Sequence, residues 1–429
     1  MSVSRRDLLR AGLAAASWPL LGQAAAPKKT AAQSRVIVIG AGFGGATCAK
    51  YLRVLSPKTE VLLIDRRPGF LTGPFSNLVI AGLRTPESIT RHVETIGATH
   101  GVQTLVDEVL GIDPITLTVT TANNGLHRAD RIVVSPGIAM RWGAIEGIAA
   151  ANSAAMPNAW LGDSEVLELR DRLEAVPDGG TILISGPPNP YRCPPGPYER
   201  ASLIAWLLTK TNRRRCKIII ADAKDDFSKR TLFMLEWDAL YPGMIEWRPR
   251  AQGGEVVRVD PATGEVWLRD AKQSIVTSLA SIIPPQRAAE LATKADLDDE
   301  SGWCPVNPAN FESKKHAGIH VIGDAAIASP MPKSAFAANS QAKLAAAAIA
   351  AVLSGASAPE ARLLNTCYSL VSDHEAISVS GYYGVVEGRL SALSEGVSPL
   401  SGDAELRNKE AVQARSWYEN ITADSFGKS

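Results

Sequence analysis

Arg35-Val36-Ile37-Val38-Ile39-Gly40-Ala41-Gly42-Phe43-Gly44-Gly45-Ala46 is the stretch on which the fold turns. After Arg35 its opening run is β-branched and apolar, the composition of a buried strand, and glycines lead at once into a helix-like segment that runs to Leu55. Gly40, Gly42 and Gly45 therefore form a G-x-G-x-x-G fingerprint in the strand, turn and helix context it requires. The first glycine permits the tight turn, the second lets backbone approach a pyrophosphate, and the third lets the helix lie close against the strand. Amides at the helix start then face the phosphates. A second strand, Val61-Leu62-Leu63-Ile64, ends in Asp65, spaced from the fingerprint as an acid that accepts a ribose hydroxyl proton should be. Together these features predict a dinucleotide site.

Further strand-like runs at Ile132-Val133-Val134, Thr181-Ile182-Leu183-Ile184, Lys217-Ile218-Ile219-Ile220 and Ile319-His320-Val321-Ile322 alternate with helical stretches, as in α/β layers. Residues 253–268 alternate like a β-meander, and 342–352 form an Ala-rich helix. The late strand ends in Gly323-Asp324. In two-dinucleotide flavoproteins such an aspartate faces the ribityl chain and pyrophosphate of FAD, which makes FAD the expected cofactor. Where a nicotinamide domain would carry a second glycine fingerprint, Thr181-Ile182-Leu183-Ile184 is followed by Ser185-Gly186-Pro187-Pro188-Asn189-Pro190-Tyr191-Arg192-Cys193-Pro194-Pro195-Gly196-Pro197. Prolines lack the N–H donors that a phosphate cradle needs, so NAD(P)H is not the expected electron source. The expected fold is α/β, with two Rossmann-like dinucleotide-binding-type domains of the disulfide-reductase-like flavoprotein kind and a C-terminal α+β interface domain. Its parts are a discontinuous FAD-binding domain at 34–150 and 285–353, a second domain at 155–284 that is NAD-domain-like but has no glycine fingerprint, and the interface domain at 354–429.

The chain has 429 residues, and its 45 basic and 44 acidic side chains leave a net charge of +1, which gives nucleic acid nothing to bind. The opening Ser4-Arg5-Arg6-Asp7-Leu8-Leu9, an apolar run from Ala11 to Leu21 and the small residues Ala24-Ala25-Ala26 have the layout of a twin-arginine export signal over 1–26. That run is too short to span a bilayer, so a periplasmic protein with no integral membrane segment is expected. Twin-arginine export moves folded proteins, which suits a chain that acquires its cofactor in the cytoplasm. The 5 cysteines include no C-x-x-C-H, so any c-type haem resides on another chain, and the 6 histidines show no metal-ligand spacing.

The segments Arg192-Cys193-Pro194-Pro195-Gly196-Pro197-Tyr198-Glu199-Arg200-Ala201, Gly302-Trp303-Cys304-Pro305-Val306, Pro330-Met331-Pro332-Lys333-Ser334, Asn365-Thr366-Cys367-Tyr368-Ser369 and Ser416-Trp417-Tyr418-Glu419-Asn420-Ile421 carry a resemblance. In them the chain resembles the flavoprotein subunit of flavocytochrome c sulfide dehydrogenase. The resemblance implies that Cys193 and Cys367 form a redox-active disulfide beside the flavin, oxidising sulfide to sulfur or polysulfide. It implies a c-type cytochrome subunit or soluble cytochrome c as partner. A soft two-electron donor does react with a disulfide by thiolate exchange, although sequence leaves open which cysteine takes the sulfur. Cys48, Cys216 and Cys304 read as buried thiols. Lys333 is placed to set positive charge near the flavin, or else is a solvated lysine; Glu199 is a candidate proton relay or a surface carboxylate. One departure stands out: the family's tethering cysteine is replaced by Gly73 in Leu71-Thr72-Gly73-Pro74-Phe75-Ser76-Asn77. FAD is therefore expected to be non-covalent. Two alternatives stay open: an auxiliary oxidoreductase of a thiosulfate-oxidising system that acts on a protein-bound thiol or persulfide, and a non-catalytic flavin electron-transfer subunit.

Overall fold

The computed structural model describes residues 34–427. The twin-arginine reading of 1–26 lies outside the described residues. Arg35–Ile39 is the central strand of a five-stranded parallel sheet, ordered Ile319–Val321, Arg131–Val134, Arg35–Ile39, Glu60–Asp65 and Gln103–Val106. Parallel strands covered on both faces read as continuous apolar runs rather than alternating ones, and that is the pattern of Val36 through Ile39, all buried. Pairing runs from Val36 with Val61 to Ile39 with Ile64, so Gly40 and Asp65 emerge together at the carboxyl edge. The late strand pairs with Arg131–Val134 and delivers Gly323-Asp324 to the same edge. Ligands of open α/β sheets bind there.

Helix Phe43–Leu55 follows the fingerprint, and helix Ala335–Ser354 follows the Gly-Asp strand. The alanines of the second keep its surface low, so the two helices pack closely. Ser334 caps that helix by accepting from the Ala337 N–H at 3.0 Å, and Gly355 ends it in the left-handed conformation. It is long and apolar enough to cross a membrane, but most of that window is buried inside the fold, as expected of a core helix.

A second parallel sheet is ordered Ile245–Arg248, Lys217–Asp222, Thr181–Gly186 and Leu279–Ser281. The meander forms as Val256–Asp260, Glu265–Leu268 and Ile275–Val276, all antiparallel. After the Ala-rich helix come the antiparallel strands Arg362–Leu370, Ala376–Val386 and Arg389–Val397, then helix Ala404–Phe426.

That closing helix docks on the fingerprint helix. Phe426 meets Phe43 edge-on at 4.9 Å between ring centroids, and Thr47 Oγ1 donates to Ser425 Oγ at 2.9 Å. Asp424 accepts from Tyr51 Oη, Asn339 Nδ2 and Lys343 Nζ, at 2.9, 2.9 and 2.7 Å. These cationic and polar partners hold its carboxyl down to about 2, against the opposing effect of burial. The polar tail thus covers the helix that carries the nucleotide fingerprint.

Candidate functional site

A cavity of about 690 Å³ opens at the carboxyl edge of the first sheet. That lies within the range of cofactor pockets. Its wall includes Gly40, Gly42, Asp65, Gly73, Gly323 and Asp324. The fingerprint divides its labour as the sequence implies. A Cβ on Gly40, at φ +94°, would lie 2.2 Å from the Ser135 carbonyl oxygen, and one on Gly45 would lie 1.7 Å from that of Gly40. Both glycines are demanded by the protein itself. Gly42 is different, because no atom lies within 4 Å of where its Cβ would be. Its space is open to the cavity. As N-cap of the fingerprint helix Gly42 supplies no side-chain acceptor, so the first helical amides are left to a ligand. Asp65 braces the turn by accepting from the Ala41 N–H at 2.7 Å and the Arg67 N–H at 2.9 Å. A glycine turn with one open face, free helical amides and a carboxylate at the next strand end fits FAD; Gly42, Asp65, Gly323 and Asp324 are the residues that would hold it.

The same cavity is lined by Cys193 and Cys367, which come from distant segments and stand as separate thiols. Cys193 is held in the left-handed region at φ 56°, a conformation that non-glycine residues adopt only when their surroundings impose it. The surroundings are plain. Its N–H donates to the Lys333 carbonyl at 2.8 Å, its carbonyl accepts from the Gly196 N–H at 2.8 Å, and Tyr191 Oη donates to the Pro194 carbonyl at 2.6 Å. Cys367 lies within strand Arg362–Leu370, paired with Val379. Burial pushes both thiols upward in pKa; the charge of Lys229 opposes this at Cys367, whereas Cys193 is raised further by Cys367 itself. Cys48, Cys216 and Cys304 are fully buried elsewhere.

Asp324 carries an ion pair with Arg192, Nε to Oδ2 at 2.6 Å, which joins the Gly-Asp turn to the residue before Cys193. Lys333 turns the other way. Its ammonium donates to the carbonyls of Asp324 and Ala326 at 2.6 and 2.9 Å, lies 3.8 Å from the Trp303 ring centroid, and lines a neighbouring cavity rather than the one with the cysteines. Burial lowers it to about 8. Neither a solvated lysine nor a charge facing the main cavity describes it. Glu199 is not a surface carboxylate either: it lines the cavity, Oε1 accepts from the Leu370 N–H at 3.0 Å, Oε2 accepts from Asn77 Nδ2 at 2.9 Å, and burial raises its pKa.

In the second sheet the positions equivalent to a nucleotide cradle are spent on the protein. The first donors of helix Gly196–Lys210 are turned inward, the N–H groups of Tyr198 and Glu199 onto the Pro195 carbonyl at 3.2 and 3.0 Å, and Pro197 has none. Asp222, the acid at the second strand's end, is fully buried and accepts from Tyr198 Oη, Lys224 Nζ and Trp247 Nε1 at 2.5, 2.6 and 3.0 Å.

Residues 166–284 match the family described as the sulfide dehydrogenase (flavocytochrome c) flavoprotein chain, central, and residues 359–426 match flavocytochrome c sulphide dehydrogenase, flavin-binding. Residues 34–172 match the pyridine nucleotide-disulphide oxidoreductases. The sulfide dehydrogenase (flavocytochrome c) flavoprotein chain of Chlorobaculum thiosulfatiphilum is 56% identical over 45 residues, 10% of this chain and 94% of that sequence. The chain belongs to the flavocytochrome c sulfide dehydrogenase flavoprotein family. Membership makes it a flavin-dependent oxidoreductase of sulfur chemistry with FAD as its cofactor. Among solved structures, the sulfide:quinone oxidoreductase of Aquifex aeolicus superposes with a TM-score of 0.72 at 17% identity, covering 92% of this chain and 93% of that one. A NAD-dependent persulfide reductase from A. fulgidus gives 0.59 at 14% identity, covering 89% of this chain and 77% of that one. These two similarities establish the two-dinucleotide-domain fold of this flavoprotein.

Sequence reading missed three residues around the cysteines. Arg192 stands beside Cys193 in the proline loop, and nothing local in that loop signals its ion pair with the distant Asp324. Arg200 is fully buried and donates to Asn77 Oδ1, the carbonyls of Asn158 and Ala159, and Ser281 Oγ, tying the second sheet to the cavity wall; burial lowers it to about 10, against the opposing effect of Glu165 and Glu199. Lys229 lies in a polar run that reads as an exposed turn, yet it is buried beside the strand of Cys367.

Proposed function

We propose that this chain is the FAD-bearing subunit of a periplasmic sulfide dehydrogenase, working through a Cys193–Cys367 disulfide. One observation carries the reading: two cysteines from distant segments line one cavity together with the fingerprint turn that would hold FAD. HS⁻ attacks one sulfur of the disulfide, the S–S bond breaks, a persulfide forms on that cysteine, and the electron pair leaves on the other as a thiolate. Return of the pair to the disulfide releases one sulfur at the oxidation level of the element, one proton and two electrons. FAD, when bound, supplies the sink for those electrons and the means of passing them on singly. Glu199, whose carboxyl burial favours the protonated form, takes up and releases the proton at the cavity wall. The acceptor is a c-type cytochrome, as a subunit or a soluble protein, in keeping with family membership and with a second sheet whose nucleotide positions are filled by Asp222 and the proline loop. FAD is held without a covalent bond, Gly73 offering no nucleophile.

Gly73 also supports a second reading, oxidation of a carrier-bound thiol or persulfide, because the departure from the tethered family pattern sits on the same wall. Turnover separates the two. Sulfide should drive reduction of a c-type cytochrome by the purified flavoprotein with no added quinone; turnover only on a protein-bound persulfide, or only with a quinone analogue, would overturn the first reading.

A further inference from the structure

Lys229 is a buried cation that forms no ion pair among the described residues. It is 9% exposed, and its ammonium donates to Ser369 Oγ at 2.8 Å and to the Ile377 carbonyl at 3.5 Å. An ammonium has three donors and a full charge, and two neutral oxygens with the Phe233 ring, 5.7 Å away at its centroid, answer only part of that demand. A lysine in this state persists only where something offsets the charge. The backbone is constrained as well, with Lys229 at φ 64° at the start of helix Arg230–Leu240.

The partner of Lys229 points to its role. Ser369 and Cys367 lie two apart on one strand, so their side chains leave the same face, and both line the cavity. Ser228, the residue before Lys229, lines it too. Two carboxylates also face this ammonium: Glu410 is paired with Arg407 and accepts from Ser378 and Ser398, whereas Glu199 has only the neutral donors of Asn77 and Leu370, and its burial favours the uncharged carboxyl. Cys193 faces the same charge, but Lys229 acts on it more weakly than Cys367 and Glu199 do in the opposite sense.

We infer that Lys229 is the counter-charge of a sulfur anion on Cys367, and that it thereby assigns the two cysteines different parts. The inference rests on the proposed disulfide chemistry and sharpens it. HS⁻ bonds to Cys193 Sγ, the Cys193–Cys367 bond breaks, and its electron pair stays on Cys367 opposite the ammonium. The products are a Cys193 persulfide and a Cys367 thiolate, with one S–S bond formed for one broken and the single negative charge conserved. The better-stabilised thiolate is the better leaving group, which directs attack to the other sulfur.

The experiment uses the FAD-loaded protein carrying Cys193→Ser, isotope-labelled at cysteine Cβ, so that carbon resonances report ionisation of Cys367 without needing solvent access. Lys229→Met is added to that background. The substitution is nearly isosteric and removes an unpaired buried charge, so the fold should be retained or strengthened. Removing this opposite charge should raise the Cys367 titration midpoint by about one pH unit or more. Ser369→Ala, which frees the ammonium but keeps its charge, should raise it less. In the protein with both cysteines, peptide mapping after one equivalent of sulfide should find the persulfide on Cys193. An unchanged midpoint in Lys229→Met, or the persulfide on Cys367, overturns the inference. The titration involves neither sulfide nor cytochrome. A shifted midpoint in a protein whose flavin sulfide cannot reduce would keep the counter-charge and sink the sulfide dehydrogenase reading instead.

Discussion

Gly42→Ala and Gly45→Ala sit three residues apart in one motif and should fail in opposite ways. At Gly45 the added methyl would lie 1.7 Å from the Gly40 carbonyl oxygen, 3.0 Å from its carbon and 3.3 Å from Val38 Cγ1. Two of these atoms are backbone of the tight turn, so the helix must move off the strand, and overpacking of that kind costs about 1–3 kcal/mol or more. At Gly42 nothing lies within 4 Å of the methyl, and the backbone is in an ordinary extended conformation. The apoprotein should change little in stability, because the gain of about 0.4–1 kcal/mol from restricting the unfolded chain is offset by the poorer fit of alanine at the helix N-cap. The methyl instead occupies space where a pyrophosphate would meet the turn. If the overpacking figure of about 1–3 kcal/mol applies to the complex, FAD affinity should fall by roughly 5- to 150-fold. Urea denaturation of the two apoproteins, paired with FAD titration by flavin fluorescence, reads both terms. A Gly42→Ala protein that is destabilised, or that binds FAD as tightly as the parent, refutes the division of labour between these glycines.

Three further outcomes follow from the same geometry. Denatured protein should release all its flavin, whereas Gly73→Cys, with no atom within 4 Å of the new Cβ, should fold normally and retain flavin on the polypeptide after denaturation. Asp222→Asn leaves the Lys224 ammonium, paired at 2.6 Å and only 9% exposed in its side chain, without its anion, and should cost about 3–5 kcal/mol in chemical denaturation, with no requirement for bound cofactor. Lys333, lowered by burial to about 8 from an ordinary 10.5, holds its proton less tightly folded than unfolded. Its penalty is fully present below pH 8 and is relieved as pH rises toward 10.5, so the parent should gain on Lys333→Met across that window, by about 3 kcal/mol at most.

The features legible in the sequence were those whose physics is local. A β-branched run, glycines at fixed offsets and an acid at the next strand end lie within one supersecondary unit, and Gly40, Gly45 and Asp65 take the places that unit dictates. The proline loop announced its own lack of N–H donors, and the structure shows where the few remaining donors go. That Cys193 and Cys367 line one cavity was not legible from spacing, since it depends on how the antiparallel sheet after the Ala-rich helix folds back over that cavity. Lys229 was hidden for the same reason. In sequence it belongs to Asp225-Asp226-Phe227-Ser228-Lys229-Arg230, a polar helix start, and strands Arg362–Leu370 and Ala376–Val386 packing across it make the charge a buried one. The placement of Lys333 was hidden because both its carbonyl partners, in the Gly-Asp turn, and the Trp303 ring, from a separate segment, come to it only in the folded chain.

The central claim, that sulfide reduces the bound flavin by way of Cys193 and Cys367, is tested most directly by anaerobic rapid mixing of the FAD-loaded protein with sulfide while the flavin absorption is followed. The account predicts rapid bleaching in the parent protein and its loss in both Cys193→Ser and Cys367→Ser, with FAD content unchanged. Absence of bleaching in the parent, or normal bleaching in either serine variant, would contradict it.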